Sequence, residues 1–333
     1  MNSTPLVSVG LFVYNGESFI EETLRSILNQ TYTDFELIIS DNASTDRTGE
    51  IARAYAKRDN RIRYYRSEKN MGAGWNVQRV YELATGEYFK QAAADDLLEP
   101  DFLRRCVEIL ENNPDCVVAY ANTKEVDENG TFIKNYNFPA KADSNDPVVR
   151  FREMLLVLDW CYQIFGVMRM SALRRIPPQG SYVNGDGVLL ARMSLLGRFC
   201  EIPEPLFISR QHNSQSSRTL PVRLKRARRF RLTNRYPALP SAEWWDPAKI
   251  RSISFPEFRQ MFEYFLSIYR SPLSAGQKLR CYPILLVWIK IHFWHILKDL
   301  LIAADQVLFN LQVPKVASAN LLNENSSQHK KLS

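Results

Sequence analysis

The chain has 333 residues, 45% hydrophobic and 24% charged, an ordinary globular composition that excludes a disordered or fibrous protein. Net charge is +7, and Arg223, Lys225, Arg226, Arg228, Arg229, Arg231 and Arg235, a block without an acid, account for the whole excess. A block of this kind suits an anionic partner: phospholipid, nucleic acid or a pyrophosphate group. The length admits one large domain with an appendage, or two domains. The five cysteines (Cys106, Cys116, Cys161, Cys200, Cys281) are scattered, odd in number and form no CxxC pair, which reads as buried reduced thiols of a cytosolic protein.

In chain order, strand and helix patterns alternate. Leu6 to Val13 is apolar and interrupted by Ser8 and Gly10; it is expected to be a first strand, not a leader or an anchor. Glu17 to Asn29 carries Phe19, Ile20, Leu24, Ile27 and Leu28 at helical spacing. Glu36 to Ser40, Arg61 to Tyr65, Glu87 to Ala92 and Val117 to Tyr120 read as short strands. Thr45 to Lys57, Ala73 to Ala84 and Pro100 to Asn112 read as the helices between them. Repeated βα units of this length predict a mostly parallel α/β sheet flanked by helices. Asn135 to Pro147 reads as a loop, Tyr182 to Gly197 contains a helix, and the Pro-rich stretch Tyr236 to Pro247 reads as a boundary. Phe255 to Tyr269 and Gln277 to Leu311 are helical patterns, and the polar tail from Val313 is expected to be loose.

Parallel α/β sheets bind ligands beyond the carboxyl ends of their strands. The segments leaving those ends are Tyr14-Asn15-Gly16, Asp41 to Asp46, and Ala93-Ala94-Asp95-Asp96. No GxGxxG or GxxxxGK[ST] loop is present, so the common phosphate cradles are missing. Carboxylates stand there instead. Asp95 and Asp96 can hold Mg²⁺ or Mn²⁺, which takes one or two protein carboxylates and completes its shell with diphosphate and water. The same pair can cap the following helix. Asn42 offers a donor and an acceptor to a base edge. Asp46 is split between ligand and cap, and Tyr14 between base stacking and core.

Residues 6 to 125 resemble glycosyltransferase family 2, with the GT-A fold, through VSVGLFVYN, IEETLRSILNQTYTDFELIISDNASTD, NMG and GEYFKQAAADDLLEPDFL. A fainter likeness runs through GDGVLLARMSLLGRFCEIPEPLFISRQHNSQSS and fades near residue 220. The resemblance implies an inverting, nucleotide-sugar-dependent transferase, usually metal-assisted. Tyr14, Asn15, Asp41, Asn42 and Asp95 then fall on the nucleotide-sugar site, Asp95, Asp96 and His212 on the metal site, and Asp186 on the general base. Three positions depart from the family pattern: Asn42 and Ala93 stand where aspartate is usual, and Gly185 where glutamate is.

The implied organisation is a catalytic domain over 1–220, with donor and acceptor halves meeting near 125, a basic and amphipathic helical extension over 221–311, and a tail over 312–333. In the extension, His292, His295, Asp299 and Gln306 share one helical stripe, and Leu285, Trp288, Ile289, Ile296, Leu300 and Leu301 cover much of the remaining circumference. Such a face packs on the catalytic domain, pairs two copies or lies on an anionic membrane. The expected function is transfer of a sugar from a nucleotide-diphosphate sugar to a hydroxyl of a cell-surface glycan, in the cytoplasm or on the inner membrane face. The alternatives are an inactive sugar-nucleotide-binding module and a nucleic-acid-binding protein using residues 223–235; nucleic acid is not the expected partner.

Overall fold

The computed structural model describes residues 4–136, 141–157, 160–180, 182, 184–213, 215, 242–249 and 255–308. The arginine block at 223–235 and the tail from 313 lie outside these residues. The described residues contain nine strands: β1 (Val7–Val13), β2 (Phe35–Asp41), β3 (Ile62–Arg66), β4 (Tyr88–Ala92), β5 (Leu97–Leu98), β6 (Cys116–Asp127), β7 (Phe132–Tyr136), β8 (Val167–Arg169) and β9 (Arg198–Gln211). They form one sheet in the order β3-β2-β1-β4-β8-β6-β9-β5, with β7 on β6. β3, β2, β1 and β4 are parallel. β8 is antiparallel to both β4 and β6, and β6 and β9 are parallel again. The expected α/β architecture is therefore present, parallel in its first half and mixed in its second.

Alternation within the strands feeds two cores. Val7, Val9, Leu11, Leu37 and Ile39 point to the layer holding α1 (Ile20–Leu28) and α4 (Phe102–Asn112). Ile38 and Phe89 point to the layer holding α3 (Ala73–Leu83), α5 (Pro147–Leu156) and α7 (Gly185–Ser194). α2 (Thr48–Ala56) flanks β3, and α6 (Met170–Leu173) is a single turn after β8. In α1 the buried Ile20, Leu24 and Ile27 recur at helical spacing, while Glu21 and Glu22 favour the positive end of the helix.

Two strands fall where the sequence suggested otherwise. β7 takes the start of the supposed loop at Asn135. β9 contains Pro203 and Pro205, which cannot donate to a ladder. The register explains their tolerance: Ala121 pairs with Ile202 but Thr123 pairs with Phe207, so both prolines loop out. Asn122 closes that loop, its Nδ2 donating to Pro203 O at 3.0 Å. Cys116 and Cys200 form a disulfide between β6 and β9, with Cα atoms 6.2 Å apart. This corrects the expectation of reduced thiols throughout; adjacent strands bring together residues far apart in sequence.

The C-terminal helices α9 (Pro256–Arg270) and α10 (Ala275–Leu308) are joined to the catalytic core on one face. Tyr264, Ile268, Cys281, Leu285, Trp288 and Ile296 share the core of α5 and α7. Arg192 of α7 pairs with Glu263 of α9, both buried, and Arg280 pairs with Asp146 at 2.6 Å. Of the polar stripe of α10, Asp299 is buried and His292 and His295 are half-buried. His292 stacks on Trp288 at 4.0 Å, and Asp299 accepts from the Glu257 backbone N–H at 2.7 Å, closing the start of α9. Short helix α8 (Ala242–Trp245) reaches the donor half. It packs on Gly72, whose φ of +89° and missing Cβ are both required, since a Cβ would lie 2.5 Å from Trp245 O.

Candidate active site

The loops after β1 and β2 are bound to each other. Asn15 donates its backbone N–H to Ser44 Oγ at 2.9 Å, and its Oδ1 accepts from the Thr45 N–H at 2.8 Å. The Gly16 N–H reaches Thr48 Oγ1 at 2.8 Å, and the Glu17 N–H reaches Asp46 Oδ2 at 3.0 Å. Asp46 also accepts from the Thr48 N–H at 3.0 Å, tying the loop to the residue that opens α2. Tyr14 stands at the rim with 43% of its surface exposed.

Asp41 lies fully buried at the end of β2. Its carboxylate accepts from the Ser44 N–H at 2.8 Å, Tyr64 OH at 2.7 Å and Arg66 Nη1 at 2.8 Å. Burial is the largest single influence and pushes its pKa up. The hydrogen bonds from Ser44 and Tyr64, with the Arg66 charge, together outweigh it and hold Asp41 below the usual carboxylate range. Asn42 is committed to the neighbouring loop. Its Nδ2 donates to Asn70 Oδ1 at 2.9 Å and Gly72 O at 3.2 Å, and its Oδ1 accepts from the Met71 N–H at 2.9 Å. The amide expected at the base edge thus fixes the NMG loop in this conformation. Arg47, Arg53 and Arg66 line an open cleft beside Ser44.

The second cluster sits between β4 and β5, facing the end of β9. His212 Nε2 lies 2.9 Å from Asp95 Oδ2, and its ring packs on Phe19 at 4.5 Å. The side chain of Asp95 remains partly exposed. Asp96 turns inward, accepting from the Arg210 N–H at 3.1 Å. Burial, and then the charge of Asp95, push Asp96 well above the usual carboxylate range, against the Arg210 N–H, Lys90 and Ser209. Lys90 is buried below it between Phe102, Phe165 and Phe207, and burial lowers its pKa to about 8. Arg210, also buried, donates to Asp95 O at 3.2 Å and Glu128 O at 2.9 Å and pairs with Glu22.

These donors decide what metal could fit. Among the described residues there is no group of three or more His, Cys, Asp or Glu able to hold an ion. Asp95, with His212 beside it, suits a hard cation that takes most of its oxygens from a diphosphate and water. Asp96 lies beneath it, buried, with its carboxylate accepting from the Arg210 N–H.

Asp186 occupies the first turn of α7. Burial raises its pKa to about 6, opposed by a hydrogen bond from Gln179. Behind it, the charge of Asp186 adds to burial in pushing the Tyr81 phenol up, and that phenol donates to Gln91 of β4 at 2.8 Å. Asp186 thus lies within electrostatic reach of a phenol that is hydrogen-bonded to Gln91 of β4.

The segment 160–162 runs beside the end of β9. Tyr162 OH donates to Glu125 Oε1 at 3.2 Å and accepts from Gln211 Nε2 at 3.4 Å, one residue from His212. Cys161 lies within electrostatic reach of Tyr264, whose hydroxyl accepts from Asn184 at 3.3 Å, two residues before Asp186. Trp160 stacks on Tyr162, with centroids 6.1 Å apart and planes within 13°, and is 49% exposed.

The backbone marks the same region. Among the described residues, the non-glycine positions with positive φ are Asn15 at 53°, Ala43 at 63° and Asn184 at 58°. Each opens a segment carrying candidate residues, as expected where local strain is held by surrounding structure. Lys90, Arg210, Gln179 and Trp160 were not found from the sequence. A lysine inside the strand pattern EYFKQA was the available signal for Lys90.

Residues 8–176 match the family model for glycosyl transferase family 2. The chain is 34% identical over 222 residues to a glycosyltransferase of Haemophilus influenzae, covering 65% of this chain and 69% of that one. It is 34% identical over 140 residues to chondroitin synthase of Escherichia coli, covering 42% of this chain and 20% of the synthase. A Methanocaldococcus jannaschii glycosyltransferase is 34% identical over 134 residues, 40% of this chain and 46% of its own. The chain thus spans less than half the length of these last two relatives. Residues 1–349 of Staphylococcus aureus TarS, crystallised with UDP-GlcNAc, share the fold with a TM-score of 0.62 at 18% identity, covering 86% of this chain and 72% of that one. With the family match extending over half its length, the chain belongs to glycosyltransferase family 2.

Proposed function

We propose that the protein transfers one sugar, with inversion, from a nucleotide-diphosphate sugar to a hydroxyl of a growing cell-surface glycan, at the cytoplasmic face of the membrane. The observation that carries this reading is Asp95 beside His212 in the turn that follows β4; Asp186, a partly buried carboxyl in the first turn of α7, is the candidate base. The likeness to chondroitin synthase supports a polysaccharide product.

In this reading the nucleoside lies against Tyr14 and the Asp41 loop, and the diphosphate points at Asp95. A Mg²⁺ or Mn²⁺ held by Asp95, with His212 adjacent, would supply charge stabilisation for the departing diphosphate. Asp186 accepts the proton of the acceptor hydroxyl as its oxygen attacks the anomeric carbon from the opposite side. The bond from that carbon to the diphosphate oxygen breaks, and the leaving nucleoside diphosphate keeps the electron pair. Burial makes Asp186 a stronger base than an exposed aspartate, while a pKa of about 6 leaves it ionised at neutral pH. Trp160 offers a flat apolar ring to the acceptor sugar.

The test begins with uridine, guanosine and thymidine diphosphates plus Mn²⁺, followed by thermal unfolding, because binding to the native state raises the midpoint. One nucleotide should raise it in a metal-dependent way, and Asp95→Ala should remove the metal-dependent part. The corresponding sugar nucleotides are then assayed for transfer. If no diphosphate shifts the midpoint and no donor is consumed, the reading fails.

A further inference from the structure

Leu279, Leu286, Phe293 and Leu300 recur every seven residues along α10 and are 69%, 65%, 52% and 46% exposed. Val287 and Trp294 extend this stripe. On α9, Phe262, Phe265 and Tyr269 are exposed on one face, and Phe265 meets Tyr282 of α10 at 5.6 Å. The two rows therefore adjoin. The opposite face of α10, with Cys281, Leu285, Trp288 and Ile296, is already buried against the catalytic core. A helix with its core face satisfied normally carries polar residues outward. A contiguous apolar patch in that place marks an interaction surface.

Charge identifies the occupant. The acids of α9, Glu257 and Glu263, are buried, as is Asp299 of α10. Asp299 is the sole acid of the sequence between 275 and 304, a stretch that carries Lys278, Arg280, Lys290 and Lys298; Lys298 is buried and Arg280 pairs with Asp146. Arg270 and Lys290 are exposed beside the apolar rows. The face thus keeps Arg270 and Lys290 among large apolar side chains, while Glu257, Glu263 and Asp299 are buried. A second copy would oppose like charges. An anionic bilayer complements both features, taking the apolar side chains at the acyl boundary and the cations among the head groups. The seven cations of 223–235 have the same sign. None of the described helices is long and apolar enough to cross a membrane.

We propose that the exposed face of α9 and α10 seats the protein on an anionic phospholipid surface. The buried Arg192–Glu263 pair joins α9 to α7, the helix that begins beside Asp186. The seat therefore lies one helix away from the proposed base, a placement suited to an acceptor held on lipid. The membrane seat does not depend on the sugar chemistry, so binding and transfer can fail separately.

The full chain is floated with vesicles of phosphatidylglycerol and phosphatidylcholine, and with phosphatidylcholine alone. Binding should require the anionic lipid. Leu286→Glu with Phe293→Glu should weaken it about a hundredfold, as expected for losing two buried apolar side chains. Lys290→Glu should weaken it roughly fivefold or more. These positions are exposed, so the circular dichroism melt of each variant should match the parent. Failure of the parent to float, or equal flotation of the Leu286→Glu/Phe293→Glu variant, overturns the proposal. Light scattering that shows a dimer in the parent and a monomer in that variant assigns the face to a second copy instead.

Discussion

The two carboxylate-bearing strand ends of this sheet are built in opposite ways. At the end of β2, Asp41 is fully buried, carries three hydrogen-bond partners and is held below the usual carboxylate range. On the other side, Asp96 and Asp186 are pushed upward by burial that their partners do not offset. A carboxylate saturated by protein donors is a fixed structural charge. One left under-compensated is poised to gain a proton or a cation. The end of β2 thus supplies a rigid frame, and the chemistry is expected where the charge is free to change.

The largest effect should come from Asp186→Asn. The amide keeps the shape but cannot take a proton, so transfer should fall by about 10²–10⁴-fold. Stability should not fall with it. The Asp186 pKa is raised in the folded state, so its favourable contribution is complete below the unfolded value and lost as pH rises through about 6. At neutral pH the variant should therefore melt at or above the parent temperature. In the parent, kcat/KM should decline below about pH 6, where Asp186 becomes protonated. Near-parental transfer by Asp186→Asn would place the base elsewhere.

A stability change of comparable size should follow Arg192→Ala. Removing Arg192 leaves the buried Glu263 with only its more exposed partner Arg259, at a cost of about 3 kcal/mol, the low end for breaking a buried pair. Denaturant unfolding would read it. A cost near zero would mean that α9 and α10 are loosely attached, and the shared core would lose its role in placing α7.

Asp41→Ala sharpens the comparison from the donor side. It leaves the Ser44 N–H and Tyr64 hydroxyl without their acceptor, a loss of about 1–3 kcal/mol. Because the folded pKa is lowered, this contribution is present above the unfolded value of about 4 and disappears as pH falls through the lower folded value. The parent and variant should converge in stability in acid. A gap that persists there would show that packing, not charge, makes Asp41 important.

Much of this was legible in the sequence because β1 to β4 are short apolar runs that end abruptly in polar residues. That pattern located Tyr14, Asp41, Asp95 and Asp96 at strand ends before any coordinates. It could not show direction. Asp95 and Asp96 are neighbours, yet one faces His212 near the surface and the other a buried lysine. Nor could it show that Asn42 is occupied by residues 70–72, or that Ala43 adopts a left-handed conformation. β9 was obscured by two prolines whose tolerance depends on a register shift against β6. The sequence showed a polar stripe on α10 but not its partner: Asp299 turns inward and accepts from the first backbone donor of α9.

The smallest predicted effect concerns the segment 160–162. Trp160 is part of neither carboxylate cluster, but the Tyr162 on which it stacks accepts from Gln211, one residue from His212. If its exposed ring receives the acceptor sugar, Trp160→Ala should raise the acceptor KM about tenfold, in line with about 1–1.5 kcal/mol for a lost aromatic contact. The donor KM and the nucleotide-induced shift in melting temperature should stay unchanged. Trp160→Phe should recover most of the loss, because a flat apolar ring is restored. The split between acceptor and donor constants is decisive: a ring that only supports Tyr162 would disturb Gln211 and His212, and its removal would weaken donor binding as well.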